Sequence, residues 1–255
     1  MQPAYLRLRR YAAAVAAECG LPRFYRDYEH EVKKSLECLS GDRALSELRV
    51  FVCDLCGDDF GHGRRHLMLV TRDTGALVLA TARLMGIPPE RILGIVRLGH
   101  AAGLLHDIRR KEPGHAAKGA ETARRLLRSM AAFSPEEVEE IAEAIANHEA
   151  FTVPKAAPSL QGQIVSDCLY DADKFRWGPD NFTDTVWSMA SYYHVPVEGF
   201  VAAYERGIEA IVRVRGSFRT EMGRRYGPEI IDMGIRIGDR VMEYLRTEVL
   251  PTQSR

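Results

Sequence analysis

His106 and Asp107 stand side by side at the end of an apolar stretch, IVRLGHAAGLLHDIRRK. An imidazole nitrogen and a carboxylate oxygen both suit divalent ions such as zinc, manganese or iron, and adjacent residues share one ion only where the chain bends. Ile95, Val96, Leu98, Ala102, Leu104 and Leu105 give the preceding stretch a helical pattern, so the pair falls at a helix end, where a bend is expected. His-Asp pairs are frequent by chance, and this one gains weight from its company. His66 precedes it, and His115, His148 and Asp173 follow, giving the order His, His-Asp, His, His, Asp.

The elements that must position these residues read almost entirely as helix. Helices are predicted over residues 3 to 18, from Arg23 to Leu39, and over a short third segment reaching the Cys-x-x-Cys turn. A long helix beyond Gly63 carries His66, Val70, Leu77 and Leu84 on or near one stripe and closes at Gly86-Ile-Pro-Pro. Pro88 and Pro89 open the helix that ends at His106, and the turn RRKEPG leads to another that starts at His115. Ser134-Pro135-Glu136-Glu137 reads as an N-cap, a first-turn proline and early acids. The stripe that follows, Val138, Ile141, Ile145 and His148, sets the histidine on a buried helical face. A helix from Leu160 leads to Asp171-Ala172-Asp173, and residues 181 to about 248 hold two or three long amphipathic segments. Gly119 and Ala120, small residues in the helix begun by His115, suggest close packing against the neighbouring helices.

Five motifs in this order resemble the HD-domain superfamily of metal-dependent phosphohydrolases: RHLMLV with TRDTGALVLATA, then AAGLLHDI, GHAAKGAETARRLL, IAEAIANHEAF and CLYDADKF. The resemblance covers roughly residues 60 to 178. It implies an all-α, HD-type helical bundle, with an N-terminal helical extension over 1–59 and a C-terminal one over 179–255. It also implies that His66, His106, Asp107 and Asp173 form a two-histidine, two-carboxylate set for one ion. His115 and His148 then either complete a second site bridged by Asp107 or bind substrate phosphate beside a single ion. One or two divalent ions are therefore expected, and manganese, iron, zinc, nickel, cobalt and magnesium are not distinguishable from sequence. His62, four residues before His66, either supports the site or faces substrate, or lies on the surface. Two features depart from the family pattern. Arg109-Arg110 replace the Gly-Lys pair common after His-Asp-Ile, and no Gly-Tyr-Pro follows His148, which argues against the cyclic-di-GMP-degrading branch.

The chemistry these parts support is hydrolysis of a phosphate ester or anhydride in a small phosphorylated substrate, a nucleotide or a relative, with Asp107, His115 and His148 at the reaction. Cations near the site would orient the ester: Arg109, Arg110 and Lys111 after the dipeptide, Lys118 one turn into the next helix, and Lys174 after Asp173. Glu149 and Asp167 are candidate proton carriers, and Asp171 either supports a ligand histidine or caps a turn. Two other classes stay open. An HD-type di-iron oxygenase would consume oxygen when loaded with iron, whereas a non-catalytic nucleotide-binding module would bind nucleotide without releasing phosphate.

Composition bounds the rest. Lysine plus arginine and aspartate plus glutamate number 35 each in 255 residues, and the balance carries no nucleic-acid footprint. No apolar run suits a membrane span and no leader pattern is present, so a cytoplasmic protein without membrane partners is expected. Five cysteines are expected to be reduced thiols. Cys19, Cys38, Cys53 and Cys56, with His62 as a substitute, could hold a structural zinc, or else pack or pair as thiols, and Cys168 reads as core. The terminal extensions could cover the site or form a homodimer surface.

Overall fold

A helix that buries its whole circumference must sit in the middle of the molecule, and Arg64–Leu84 is such a helix: every residue from Asp73 to Ala82 is buried. Around it, the computed structural model describes residues 3–55 and 63–250 as twelve α-helices and two π-helical segments, with no strand among the described residues. These are α1 (Pro3–Cys19), α2 (Arg23–Asp27), α3 (Glu29–Gly41), α4 (Arg43–Leu55), α5 (Arg64–Leu84), α6 (Pro89–Leu105), α7 (His115–Met130), α8 (Pro135–Ala146), α9 (Leu160–Phe175), α10 (Val186–Tyr192), α11 (Val197–Arg215) and α12 (Glu221–Tyr244). The π-helical segments are Asn181–Thr185, before α10, and Leu245–Val249, after α12. No helix among the described residues is long and apolar enough to cross a membrane. His62 and Cys56 lie outside the described residues.

Helices α3, α6 and α9 pack on α5, α7 and α8 pair with each other, and α8 also rests on α9. From the C-terminal segment, α12 packs on α1, α9 and α11, so both ends of the chain meet over one side of the bundle. Local signals set the boundaries. Ser134 and Glu137 form a complete capping box at the start of α8, and Ser159 and Thr220 accept the Gly162 and Gly223 amides at the starts of α9 and α12. Gly114, at φ 67°, turns the chain in the left-handed region so that α7 begins on His115.

Three predicted elements differ in detail. The helix expected over Arg23 to Leu39 breaks at Tyr28, where φ −117° and ψ 30° direct Phe24 and Tyr28 into a cluster of rings with Phe175 and Tyr226. Leu84 falls off the α5 stripe and is 54% exposed, because the helix has left the core by its last turn. The helix expected to carry His148, α8, ends at Ala146, two residues early.

At the crossing of α5 and α6 a methyl on Gly103 would lie 2.7 Å from the Thr71 Cα, so the two backbones approach closely there. One layer away Gly75 makes room for a buried pair in which the His100 Nε2–H donates to the Ser35 hydroxyl at 2.9 Å, while that hydroxyl donates to the Arg72 carbonyl. The His100 Nδ1 has no hydrogen-bond partner. Burial, opposed by Asp42, pushes this imidazole down to about 4. The unfolded chain therefore binds a proton that the folded one refuses. Stability is full above the ordinary histidine value near 6.5 and falls as pH drops toward 4. Between pH 7 and pH 5 His100 should cost the fold about 2 kcal/mol. Urea titrations at the two pH values check this, and His100→Gln should flatten the loss by that amount.

Candidate metal centre

Five helix ends converge to build the site. His66 lies in the first turn of α5, His106 caps α6 with Asp107 just beyond it, His115 opens α7, and Asp173 occupies the last turn of α9. His148 lies past the end of α8 in a turn, not on the helical stripe. Asn147 ends that helix by pairing with the Lys155 backbone through both its amide nitrogen and its oxygen, each at 2.9 Å. His148 is nonetheless 2% exposed, and all six residues are 9% exposed or less.

The donor atoms fall into two groups. His66, His106 and Asp173 form one; Asp107, His115 and His148 form the other. In the first, His66 Nε2 lies 3.3 Å from His106 Nε2 and 3.4 Å from Asp173 Oδ1, and His106 Nε2 lies 3.9 Å from the same oxygen. Asp107 Oδ2 joins this group at 3.7 Å from His66 and 3.5 Å from His106. Its other oxygen faces the second group, 3.4 Å from His148 Nε2 and 3.8 Å from His115 Nε2. Ligands about 2.1 Å from a tetrahedral ion stand about 3.4 Å apart, so the spacing fits a divalent ion.

At His106 and His148 proton placement fits too. His106 Nδ1 donates to the Gly103 carbonyl at 2.8 Å and His148 Nδ1 to the Ile145 carbonyl at 2.6 Å, which leaves both Nε2 lone pairs directed at the centre. Burial lowers the His106 imidazole to about 4, outweighing Asp107 and Asp173, so it stays neutral and able to ligate. Burial also lowers His115, with Asp107 opposing and Arg110 adding to the shift. Burial would raise Asp173, but Lys174, His66 and His106 overcome it and hold the carboxyl well below its ordinary value. These buried groups could hold a metal ion.

The expected cations separate on folding. Lys174 is 3% exposed, pairs with Asp173 Oδ2 at 2.5 Å and borders the cavity beside the ligands. Arg110 borders it as well, with Nη1 donating to His115 Nε2 at 2.9 Å. Arg109, Lys111 and Lys118 do not line this cavity. The turn before α7 exposes Arg109 and Lys111: Arg109 donates to Thr122 and pairs with Glu112, and Lys111 lies over the Tyr192 ring, while Lys118, on the exposed face of α7, also pairs with Glu112. Glu149 lines the cavity, but Asp167 is engaged by Gln163 instead. Asp171 touches no ligand histidine. It accepts the Arg219 and Thr220 amides and the Thr220 hydroxyl, tying α9 to the start of α12, with Gly223 leaving space for its carboxylate. Gly119 packs on the His106 carbonyl and Ile145, as expected of close helix packing. Among the described residues no cysteine joins a metal-holding group, and Cys168 is buried in the core.

Behind the ligands opens a cavity of about 480 Å³. Its far walls come from the π-helical segment before α10, from α10 and from α11, through Phe182, Val186, Met189, Phe200 and Ile211. Sequence reading attached no site to this segment, although Ala203, Gly207 and Ala210 repeat small residues along one face of α11. No family model, no curated protein and no solved structure matches this chain.

Proposed function

We propose that the protein is a metal-dependent phosphohydrolase whose substrate is a phosphate ester. The observation that carries this reading is Asp107, which turns one carboxylate oxygen toward each of two histidine-containing donor groups. His66, His106, Asp107 and Asp173 would hold one divalent ion, and Asp107, His115 and His148 a second. Such ions lower the pKa of a water toward neutrality and offset the charge that develops on phosphoryl oxygens. The chain's own cations act beside the ligands. Arg110 and Lys174 border the cavity there and would orient the phosphate by charge-assisted hydrogen bonds. Glu149 follows His148 in the chain and lines the same cavity. The order of motifs resembling HD-domain phosphohydrolases supports the same reading.

One feature favours a second reading, an oxygenase using two irons on the same six ligands: the cavity that receives the substrate is walled largely by hydrocarbon. Protein reloaded with manganese, zinc or iron should release inorganic phosphate from para-nitrophenyl phosphate. Failure with every metal, joined to oxygen uptake in the iron-loaded sample, would transfer the assignment to oxygen chemistry.

A further inference from the structure

The cavity has two unlike ends. At the ligand end stand Arg110, which donates to His115 Nε2 at 2.9 Å, and Lys174, which pairs with Asp173 Oδ2 at 2.5 Å, two cationic side chains beside the donor groups. Arg176 also reaches the wall, but its guanidinium is committed to Asp73 at 2.6 Å and to Asp180 at 2.5 Å. Toward α11 the wall is aromatic and aliphatic. Its polar side chains there are few: Asn181, Thr185 and Tyr204, the last donating its hydroxyl to Asp239 at 3.0 Å.

A nucleoside offers a base edge and ribose hydroxyls. Each donor or acceptor buried there without a partner would weaken binding by roughly ten- to a hundredfold. A hydrocarbon of similar size gains from the same walls. Gly207 of α11 is exposed where the helix borders the cavity, and a methyl there would meet nothing within 4 Å, so a larger side chain has room to enter. One further observation points to a ligand in this space. Phe151, at the cavity rim, holds φ 66°, an unfavourable conformation for an aromatic residue, with Arg213 stacked 4.1 Å from its ring.

We propose that the organic part of the substrate is apolar, an aliphatic or aromatic hydrocarbon group seated between the π-helical segment Asn181–Thr185 and α11. The phosphate at its other end rests on the reading above; the apolar end rests on the cavity alone. The volume lies within the range of about 300 to 1,000 Å³ usual for small-molecule sites.

Isothermal titration calorimetry of manganese-loaded protein with alkylphosphonates from methyl to decyl tests it, with adenosine monophosphate as the comparison. Affinity should rise by roughly fourfold per added methylene until the cavity is filled, then level off, with a negative heat-capacity change and weak nucleotide binding. Gly207→Leu should bring the plateau to shorter chains, its loss growing with chain length to at least about tenfold for the longest. Affinity that stays flat along the series, or nucleotide that binds more tightly than decylphosphonate, would overturn the proposal, whatever the phosphate-release assay shows. A clear chain-length dependence without hydrolysis of any matching alkyl phosphate would sustain it and remove the phosphohydrolase reading instead.

Discussion

Asp107→Ala is expected to strip the metal from the protein and to lower phosphate release by at least about a thousandfold, while the metal-free fold stays as stable as before. The carboxylate is the one residue with an oxygen in each donor neighbourhood, 3.5 Å from His106 on one side and 3.4 Å from His148 on the other. Its loss leaves each set short of a ligand at once. In the metal-free protein Asp107 adds a second carboxylate to a buried pocket that already holds Asp173. Removing it deletes a charge that is costly to bury. Elemental analysis should find one or two equivalents in the wild type and none in the variant. Scanning calorimetry adds a readout that does not depend on turnover: metal at a hundredfold over its Kd should stabilise the wild type by about 2.7 kcal/mol and leave the variant unmoved. A variant that keeps its metal and its thermal shift would show that Asp107 is not the bridge.

Arg176→Met is expected to destabilise the fold by about 3 kcal/mol, the largest stability effect among the substitutions considered. Asp73 is fully buried on α5 and accepts from Arg176 at 2.6 Å, from the Tyr25 hydroxyl at 2.7 Å and from Arg72 at 2.7 Å. Arg176 also donates to the Tyr25 hydroxyl and pairs with Asp180, which Arg65 engages at 3.0 Å. Burial pushes the Tyr25 phenol up, with Arg176 opposing and Asp73 adding, so it remains a neutral donor. Taking the guanidinium away leaves Asp73 buried with fewer donors, and breaking a buried pair from one side costs more than the pair itself contributes. Urea unfolding measures the loss. The network joins α2, α5 and the end of α9, three residues past Asp173, so the variant should also bind metal about tenfold more weakly. A loss under about 1 kcal/mol would reduce the network to a surface-like ion pair.

The helices were readable because their signals are local. Ser134-Pro135-Glu136-Glu137 is a capping box in sequence and in space, and the apolar spacing of α5 and α6 anticipates their burial. The six donors were nameable because histidine and aspartate at helix ends are chemically distinctive, and the structure brings all six together. The end of α8 was misread by two residues, since Asn147 stops the helix through Lys155, a partner eight residues on that periodicity does not register.

The cations and the cavity were decided elsewhere. Arg109, Arg110 and Lys111 are neighbours of one type, and only the turn before α7 determines that Arg110 reaches His115 while the other two leave the cavity. Asp171 and Asp173 are two residues apart, yet one ties down α12 and the other joins the donors, because α9 presents them to different partners. The apolar walls come from residues more than seventy positions beyond Asp107, in α10 and α11, whose pattern marks an amphipathic helix but not what lies against it. Sequence alone determined which residues could hold an ion and, His148 apart, on what kind of element they sit, since propensity, capping and ligand chemistry belong to short stretches. Tertiary structure decided which charges face the cavity and how apolar its far end is, since those depend on packing between segments distant along the chain.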